Sequence, residues 1–210
     1  MLNLEMMRGK AKFDEFKAKI EAAGSDQKDF FGGTYTGGYC IQQNPDEFAA
    51  LLTYLWHNHL MGMPPLGVYG EIGSAAGGTL RMIREEVGFD KGIVIDNGVH
   101  PNHKHFADNT KSMLLGTFIG DSHSKEAADF LKANMPDQFF DVIVIDGDHS
   151  AEGVIQDIRL VLPYCNEATL IVLHDIVACE GVKAAWAMFD TKVAEFISED
   201  KPFGIGVAHG

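Results

Sequence analysis

From residue 67 onward the sequence alternates short β-rich apolar runs with segments of helical period, and few architectures accommodate that alternation. Strands are expected at 67–72, 92–96, 115–119, 140–145 and 169–173, with helices at 77–87, 123–134, 151–161 and 180–190 between or after them. The pattern therefore predicts parallel strands joined by crossover helices. Val142-Ile143-Val144-Ile145 is apolar at every position, as a strand covered by helices on both faces must be. The tail reads differently: runs at 192–197 and 203–208 flank the polar Ser198-Glu199-Asp200-Lys201-Pro202 and predict an antiparallel hairpin that closes one edge of the sheet. The expected fold is α/β, a doubly wound, mostly parallel seven-stranded sheet with a C-terminal antiparallel hairpin.

Upstream of the sheet the period is helical. Phe13, Phe16, Lys17 and Ile20 share one helix face, and Gly24-Ser25 would end that helix. A second helix is expected to start at Asn44, an N-cap followed by Pro45, to carry Phe48, Leu51, Leu52 and Leu55 on one side, and to stop before Gly62 and Pro64-Pro65. Between them, Gly32 to Gly38 is too rich in glycine for a helix or central strand and reads as a mobile loop, with Phe30-Phe31 as a candidate lid. At 210 residues without a linker or repeat, the chain reads as one domain: a helical extension or lid over 1–62 and a sheet core over 63–210.

Charge narrows the partners. With 17 Lys and Arg against 30 Asp and Glu, the net charge of −13 repels polyphosphates and anionic lipid surfaces, so neither nucleic acid nor membrane is expected. Cys40, Cys165 and Cys179 are odd in number and widely spaced, which fits a reducing, cytoplasmic setting better than a disulfide framework. The segment from Met1 to Gly24 lacks the uninterrupted apolar stretch of a signal peptide and reads as a retained amphipathic helix.

In an open parallel sheet, ligands bind beyond the carboxyl ends of the strands, near the point where strand order reverses. After the first strand, Gly73-Ser74-Ala75-Ala76-Gly77-Gly78 permits a tight turn and a close backbone approach, and the second strand ends in Asp96, a carboxylate able to accept hydrogen bonds from a ribose diol. Ordinary turn chemistry with a solvated Asp96 is the plainer alternative. Ala75 stands where a dinucleotide fingerprint needs its second glycine, so NAD fits poorly. Glu71, two positions before the first glycine, suits a cofactor that carries positive charge, because a buried carboxylate is best retained beside a cation. S-adenosylmethionine carries two, a sulfonium and an ammonium.

Taken together, Glu71-Ile72-Gly73, Gly77-Gly78-Thr79, Asp96, Gly120-Asp121-Ser122, the block Asp141 to His149 with its Asp-Gly-Asp-His end, and Leu173-His174-Asp175 resemble the class I S-adenosylmethionine-dependent methyltransferases. Within these the chain is most similar to the metal-dependent O-methyltransferase branch that includes macrolide-sugar and cephalosporin-biosynthesis methyltransferase-like proteins. The resemblance covers residues 67–208 and implies a Rossmann-like fold. It further implies that Glu71, Gly73, Ser74 and Gly78 cradle the methionine end of the cofactor, that Asp96 holds the ribose and that Asp121 and Ser122 meet the adenine. Asp146, His174 and Asp175 would bind a divalent cation, Asp146 also bordering the cofactor. Mg²⁺ or Mn²⁺ is the expected ion; His174 stands where the branch carries an acidic residue, which favours another transition metal or makes His174 a second base.

His149, three residues after Asp146, is the candidate general base for a hydroxyl whose pKa a metal lowers. Asp146-x-x-His149 also matches an ordinary helix-start cap, and His174-Asp175 a plain loop. His100, His103 and His105 read as a solvated loop, and Trp56 and Trp186 as core or rim aromatics. The expected activity is O-methylation of a small hydroxylated molecule such as a sugar, natural product or diol. A metal-dependent hydrolase or lyase built on the same Asp/His cluster, or a non-catalytic cofactor-binding module, are the alternatives, and a homodimer is left open.

Overall fold

The computed structural model describes residues 4–23, 39–60, 66–200 and 202–210. The Phe30-Phe31 lid and the glycine loop at 32–38 lie outside the described residues, as do Gly62 and Pro64-Pro65. Seven strands form one sheet: β1 (Leu66–Ile72), β2 (Phe89–Asp96), β3 (Leu115–Ile119), β4 (Val142–Ile145), β5 (Leu170–His174), β6 (Lys192–Phe196) and β7 (Ile205–His209). Their order is β3-β2-β1-β4-β5-β7-β6, with β1 to β5 parallel and β7 antiparallel to both β5 and β6. The chain builds outward from β1 in one direction and then, from β4, in the other. The switch point thus falls between β1 and β4, where Gly70 faces Ile143 and Ile72 faces Ile145.

Helices α1 (Leu4–Ala22), α2 (Pro45–Leu60), α3 (Gly78–Glu86), α4 (Phe106–Thr110), α5 (Lys125–Asn134), α6 (Ala151–Val161) and α7 (Glu180–Trp186) cover the two faces. On one side Phe16, Ile20, Phe48 and Leu52 from α1 and α2 pack with Leu80 of α3 against Tyr69, Val142, Val144 and Val172. On the other, Leu131, Val154, Val182 and Trp186 from α5, α6 and α7 pack against Ile93, Ile143, Ile145 and Ile171. Alternate residues of β4 therefore serve opposite cores, which is why its sequence shows no polar position. The N-terminal helices are one covering layer of the sheet, contributing fully buried side chains. No helix among the described residues is long and apolar enough to cross a membrane.

Element ends differ where side chains act on the backbone. Phe140 and Asp141 precede β4 because the Asp141 carboxylate accepts hydrogen bonds from the Gly67 and Val68 amides, both at 2.8 Å, and pins the start of β1. Residues 97–114, given no element by sequence, hold a 3₁₀ turn (Pro101–His105) and α4. Five residues are too few to display a helical period, and what fixes α4 is tertiary: Asn109 donates to the carbonyls of Ala76 and Tyr39 at 2.8 and 3.0 Å.

Candidate functional site

The carboxyl ends of the parallel strands open into a cavity of about 900 Å³, of a size that accommodates a cofactor together with a small acceptor. Of the residues singled out by sequence, Gly73, Asp96, Asp121, Ser122, Asp146, His149, His174 and Asp175 line it. Glu71, Ser74 and Gly78 do not form its wall. They stand behind it, Glu71 and Ser74 buried and Gly78 against Tyr39, whose carbonyl oxygen would lie 2.3 Å from a Cβ at that position.

The β1 turn is shaped by close approaches. Gly73 has φ +83°, and a Cβ there would sit 2.1 Å from the carbonyl oxygen of Asp146. Glycine is required because the turn leaving β1 touches the backbone at the end of β4. Gly73→Ala is expected to destabilise the protein by roughly 3 kcal/mol or more, read as a lower denaturation midpoint. An unchanged midpoint would mean that the two strand ends separate without cost.

Asp96 braces this turn. Its Oδ2 accepts the amides of Ser74 and Ala75, both at 2.8 Å, and its Oδ1 accepts the amide of Gly98 at 2.7 Å and lies 3.1 Å from His103 Nδ1. The reading of residues 100–105 as a solvated loop is thereby corrected: His103 reaches Asp96 and stacks on Phe106, and His100 lines the cavity. The signal was weak, since only the folding of that loop back onto the end of β2 makes the contact.

Glu71 is 3 % exposed and accepts a hydrogen bond from the Tyr69 hydroxyl at 2.8 Å. Burial pushes its carboxyl up to about 8; Tyr69 opposes this, while the negative charge of Asp146 adds to it.

The ends of β4 and β5 bring four ionisable side chains together. His174 Nδ1 lies 3.1 Å from Asp146 Oδ1 and 3.5 Å from Asp175 Oδ1, while His149 Nε2 lies 3.3 Å from Asp146 Oδ1 and 3.5 Å from Asp175 Oδ2. Burial pushes Asp146 upward, but the two imidazoles outweigh it and hold its carboxyl well below the usual range. Burial lowers His174, and the two carboxylates overcome that and raise it to about 10. His149 is raised chiefly by its hydrogen bond with Asp146. Asp146, His174 and Asp175 each offer a donor atom within 4.8 Å of the others, a carboxylate and imidazole set that fits a divalent ion.

Sequence reasoning missed the residues that reach the site from elsewhere. Gln43, just before α2, donates to Asp146 Oδ2 at 3.2 Å. Phe203, from the β6–β7 connection, lines the cavity and lies 6.1 Å ring to ring from His174. That connection is itself held by Glu47 of α2, whose carboxylate accepts the amides of Ser198 and Gly204, both at 2.9 Å. At the other end of the cavity, His123 Nε2 lies 3.2 Å from the buried Asp157 Oδ1.

The profile of a family described as methyltransferase domain matches residues 71–176, half of the chain and the part that runs from the last two residues of β1 through β5. No curated protein matches. Among solved structures, an O-methyltransferase from Bacillus cereus in complex with S-adenosylhomocysteine is 11% identical, with a TM-score of 0.58 over 95% of this chain and 91% of that one. The O-methyltransferase TomG from Streptomyces achromogenes, involved in tomaymycin synthesis and solved with S-adenosylmethionine, is 13% identical, with a TM-score of 0.58 over 99% and 100%. The N-methyltransferase NodS from Bradyrhizobium japonicum WM9, with S-adenosylhomocysteine, is 13% identical, with a TM-score of 0.55 over 92% and 95%. At these identities the likeness is one of fold.

Proposed function

The chain belongs to the methyltransferase domain family, and from that premise we propose that it is an S-adenosylmethionine-dependent O-methyltransferase acting, with a divalent metal, on a hydroxyl of a small molecule. The observation that carries this reading is the meeting, in one cavity at the switch point, of the Gly73 turn with the Asp146, His149, His174 and Asp175 cluster.

The residues fit the cofactor. A buried carboxyl held protonated for want of a cation, as Glu71 is, matches a ligand that brings positive charge, and the cavity has room for donor and acceptor together. S-adenosylmethionine would supply an electrophilic methyl group on its sulfonium. In this reading Gly73 and Ser74 shape the methionine end with Glu71 behind them, Gly78 sets the turn, Asp96 fixes the turn and faces the ribose, and Asp121 and Ser122 border the adenine.

The fold also serves an N-methyltransferase, so the choice of oxygen rests on the cluster. A neutral amine attacks a methyl group as it stands, whereas a hydroxyl must lose its proton, and that demands a base and a way to lower its pKa. Asp146, His174 and Asp175 would hold the metal, which would lower that pKa. His149, half-exposed in the cavity wall, donates its Nε2 proton toward Asp146 and Asp175 and takes the hydroxyl proton at Nδ1, and the two carboxylates stabilise the imidazolium that results. Gln43 keeps the second oxygen of Asp146 oriented, and Phe203 and Ala178 exclude water from the acceptor side.

Calorimetric titration of S-adenosylhomocysteine and S-adenosylmethionine into the metal-free protein, repeated with Mg²⁺ and Mn²⁺, tests the reading. Binding is expected, and it should weaken in Asp121→Ala without a change in melting temperature, because Asp121 is exposed and its carboxylate holds only its own loop. Stoichiometric metal binding with neither nucleoside bound would turn the site into that of a metal-dependent hydrolase or lyase.

A further inference from the structure

Beyond the Asp146, His174 and Asp175 set, the cavity holds a second group of donors in which Cys179, which the proposed reaction does not use, joins His149 and Asp175, which it does. Cys179 closes the turn from β5 into α7, its amide bonded to the Asp175 carbonyl at 3.1 Å, and its Sγ lies 3.5 Å from His149 Nδ1. His149, Asp175 and Cys179 each place one donor atom within 4.8 Å of the others. Ligands about 2.0–2.3 Å from a zinc-class ion stand roughly 3.3–3.8 Å apart, so small side-chain adjustments suffice to close around one.

The approach is built into the backbone. Gly181, in the first turn of α7, packs against the turn that leads from β4 into α6 so closely that a Cβ there would lie 2.3 Å from the His149 carbonyl oxygen and 2.5 Å from the Ala151 amide nitrogen. That contact brings the Cys179 turn against the His149 turn. Asp175 joins the two donor groups, its Oδ1 toward His174 and its Oδ2 toward His149.

We propose that His149, Asp175 and Cys179 form a binding site for a thiophilic divalent ion of the zinc class, coordinated through the Cys179 sulfur. Sulfur and imidazole donors select such ions over Mg²⁺, which takes oxygen ligands. Binding replaces the thiol proton, which leaves to solvent, and ties up the imidazole that the proposed methyl transfer needs as its base. Zinc-class ions are thus inhibitors of this enzyme, bound at a site that shares Asp175 with the activating set but adds His149 and Cys179. Only that consequence rests on the proposed function; the coordination does not.

The test is optical. Co²⁺ titrated into the reduced, metal-free full chain is expected to give a sulfur-to-cobalt charge-transfer band in the near ultraviolet. The band should be lost in Cys179→Ser, kept in the Cys40→Ser/Cys165→Ser double variant, and bleached by Zn²⁺ but not by excess Mg²⁺. Visible cobalt bands without the charge-transfer band would place the ion among the oxygen and nitrogen donors and overturn the sulfur site while leaving the methyltransferase reading intact. A charge-transfer band that persists in a well-folded Cys179→Ser protein, or no cobalt binding at all, would also overturn it. Nucleoside binding measured by calorimetry in the same preparations reports separately on the proposed function.

Discussion

Glu71→Gln is expected to make the ligand-free protein more stable at alkaline pH and, at the same time, a poorer binder of S-adenosylmethionine. The carboxyl is buried and protonated up to about pH 8, against a usual value of 4.5. Its folded-state pKa lies above the unfolded one, so between those values the native state binds the extra proton. The stability it contributes is fully present below about pH 4.5 and is lost as pH rises to about 8, a change of a few kcal/mol. Glutamine keeps the volume and the acceptor for the Tyr69 hydroxyl and has nothing to titrate. Melting temperatures of the two proteins should therefore agree in acid, part progressively as pH rises from about 4.5 and keep a constant gap above about 8, with the variant higher. Calorimetry should then show weaker cofactor binding by tenfold or more, about 1.4 kcal/mol or beyond, since no carboxylate is left to ionise against the arriving cation. Parallel melting curves at every pH would show that Glu71 does not titrate as argued. Unchanged binding would remove it from the cofactor site.

The same residue shows what a sequence discloses and what it hides. Glu71, Asp96, Asp146 and Asp175 were legible because each ends or follows an apolar run that must be a strand, and the ends of parallel strands converge on one side of a sheet. Val142 to Ile145 gave away the central strand by having no polar position, and the turn residues after β1 gave away the tight bend. Legibility failed wherever a contact depends on two remote segments meeting. Gln43 reaches Asp146 across 103 positions and Glu47 reaches Gly204 across 157, and neither glutamine nor glutamate carries a local pattern that foretells such a partner. The resemblance puts Gly78 at the methionine end of the cofactor, and what its place in the turn does not disclose is the close approach of the Tyr39 carbonyl. His103 read as solvated because Lys104 and Asn102 surround it in sequence, while Asn102 is buried and the loop folds back on Asp96.

Asp146→Ala has the other large expected effect, and it separates the two uses of that carboxylate. Asp146 Oδ1 is the point at which His149 and His174 meet, at 3.3 and 3.1 Å, and its Oδ2 takes the Gln43 amide. Removing it strips the central donor from the Asp146, His174 and Asp175 set, so binding of Mn²⁺ should fall below detection in calorimetry and methyl transfer should vanish. The variant also leaves His174, 5 % exposed, without its nearer counter-charge. Removing one partner of a buried ion pair costs about 3–5 kcal/mol when the other charge is retained. His174 can instead shed its proton, which caps the loss at the lower end and sends its pKa down from about 10, in the direction burial alone dictates. The two contributions are distinguishable by Asp146→Asn, which keeps the shape and a hydrogen-bonding oxygen: it should recover part of the stability but neither the metal nor the activity. Nuclear magnetic resonance titration of the imidazole signals should show the His174 transition moving to lower pH in both variants. A His174 transition that stays where it was, or metal affinity that survives in Asp146→Asn, would remove Asp146 from the centre of the cluster and leave Asp175 as its organising charge.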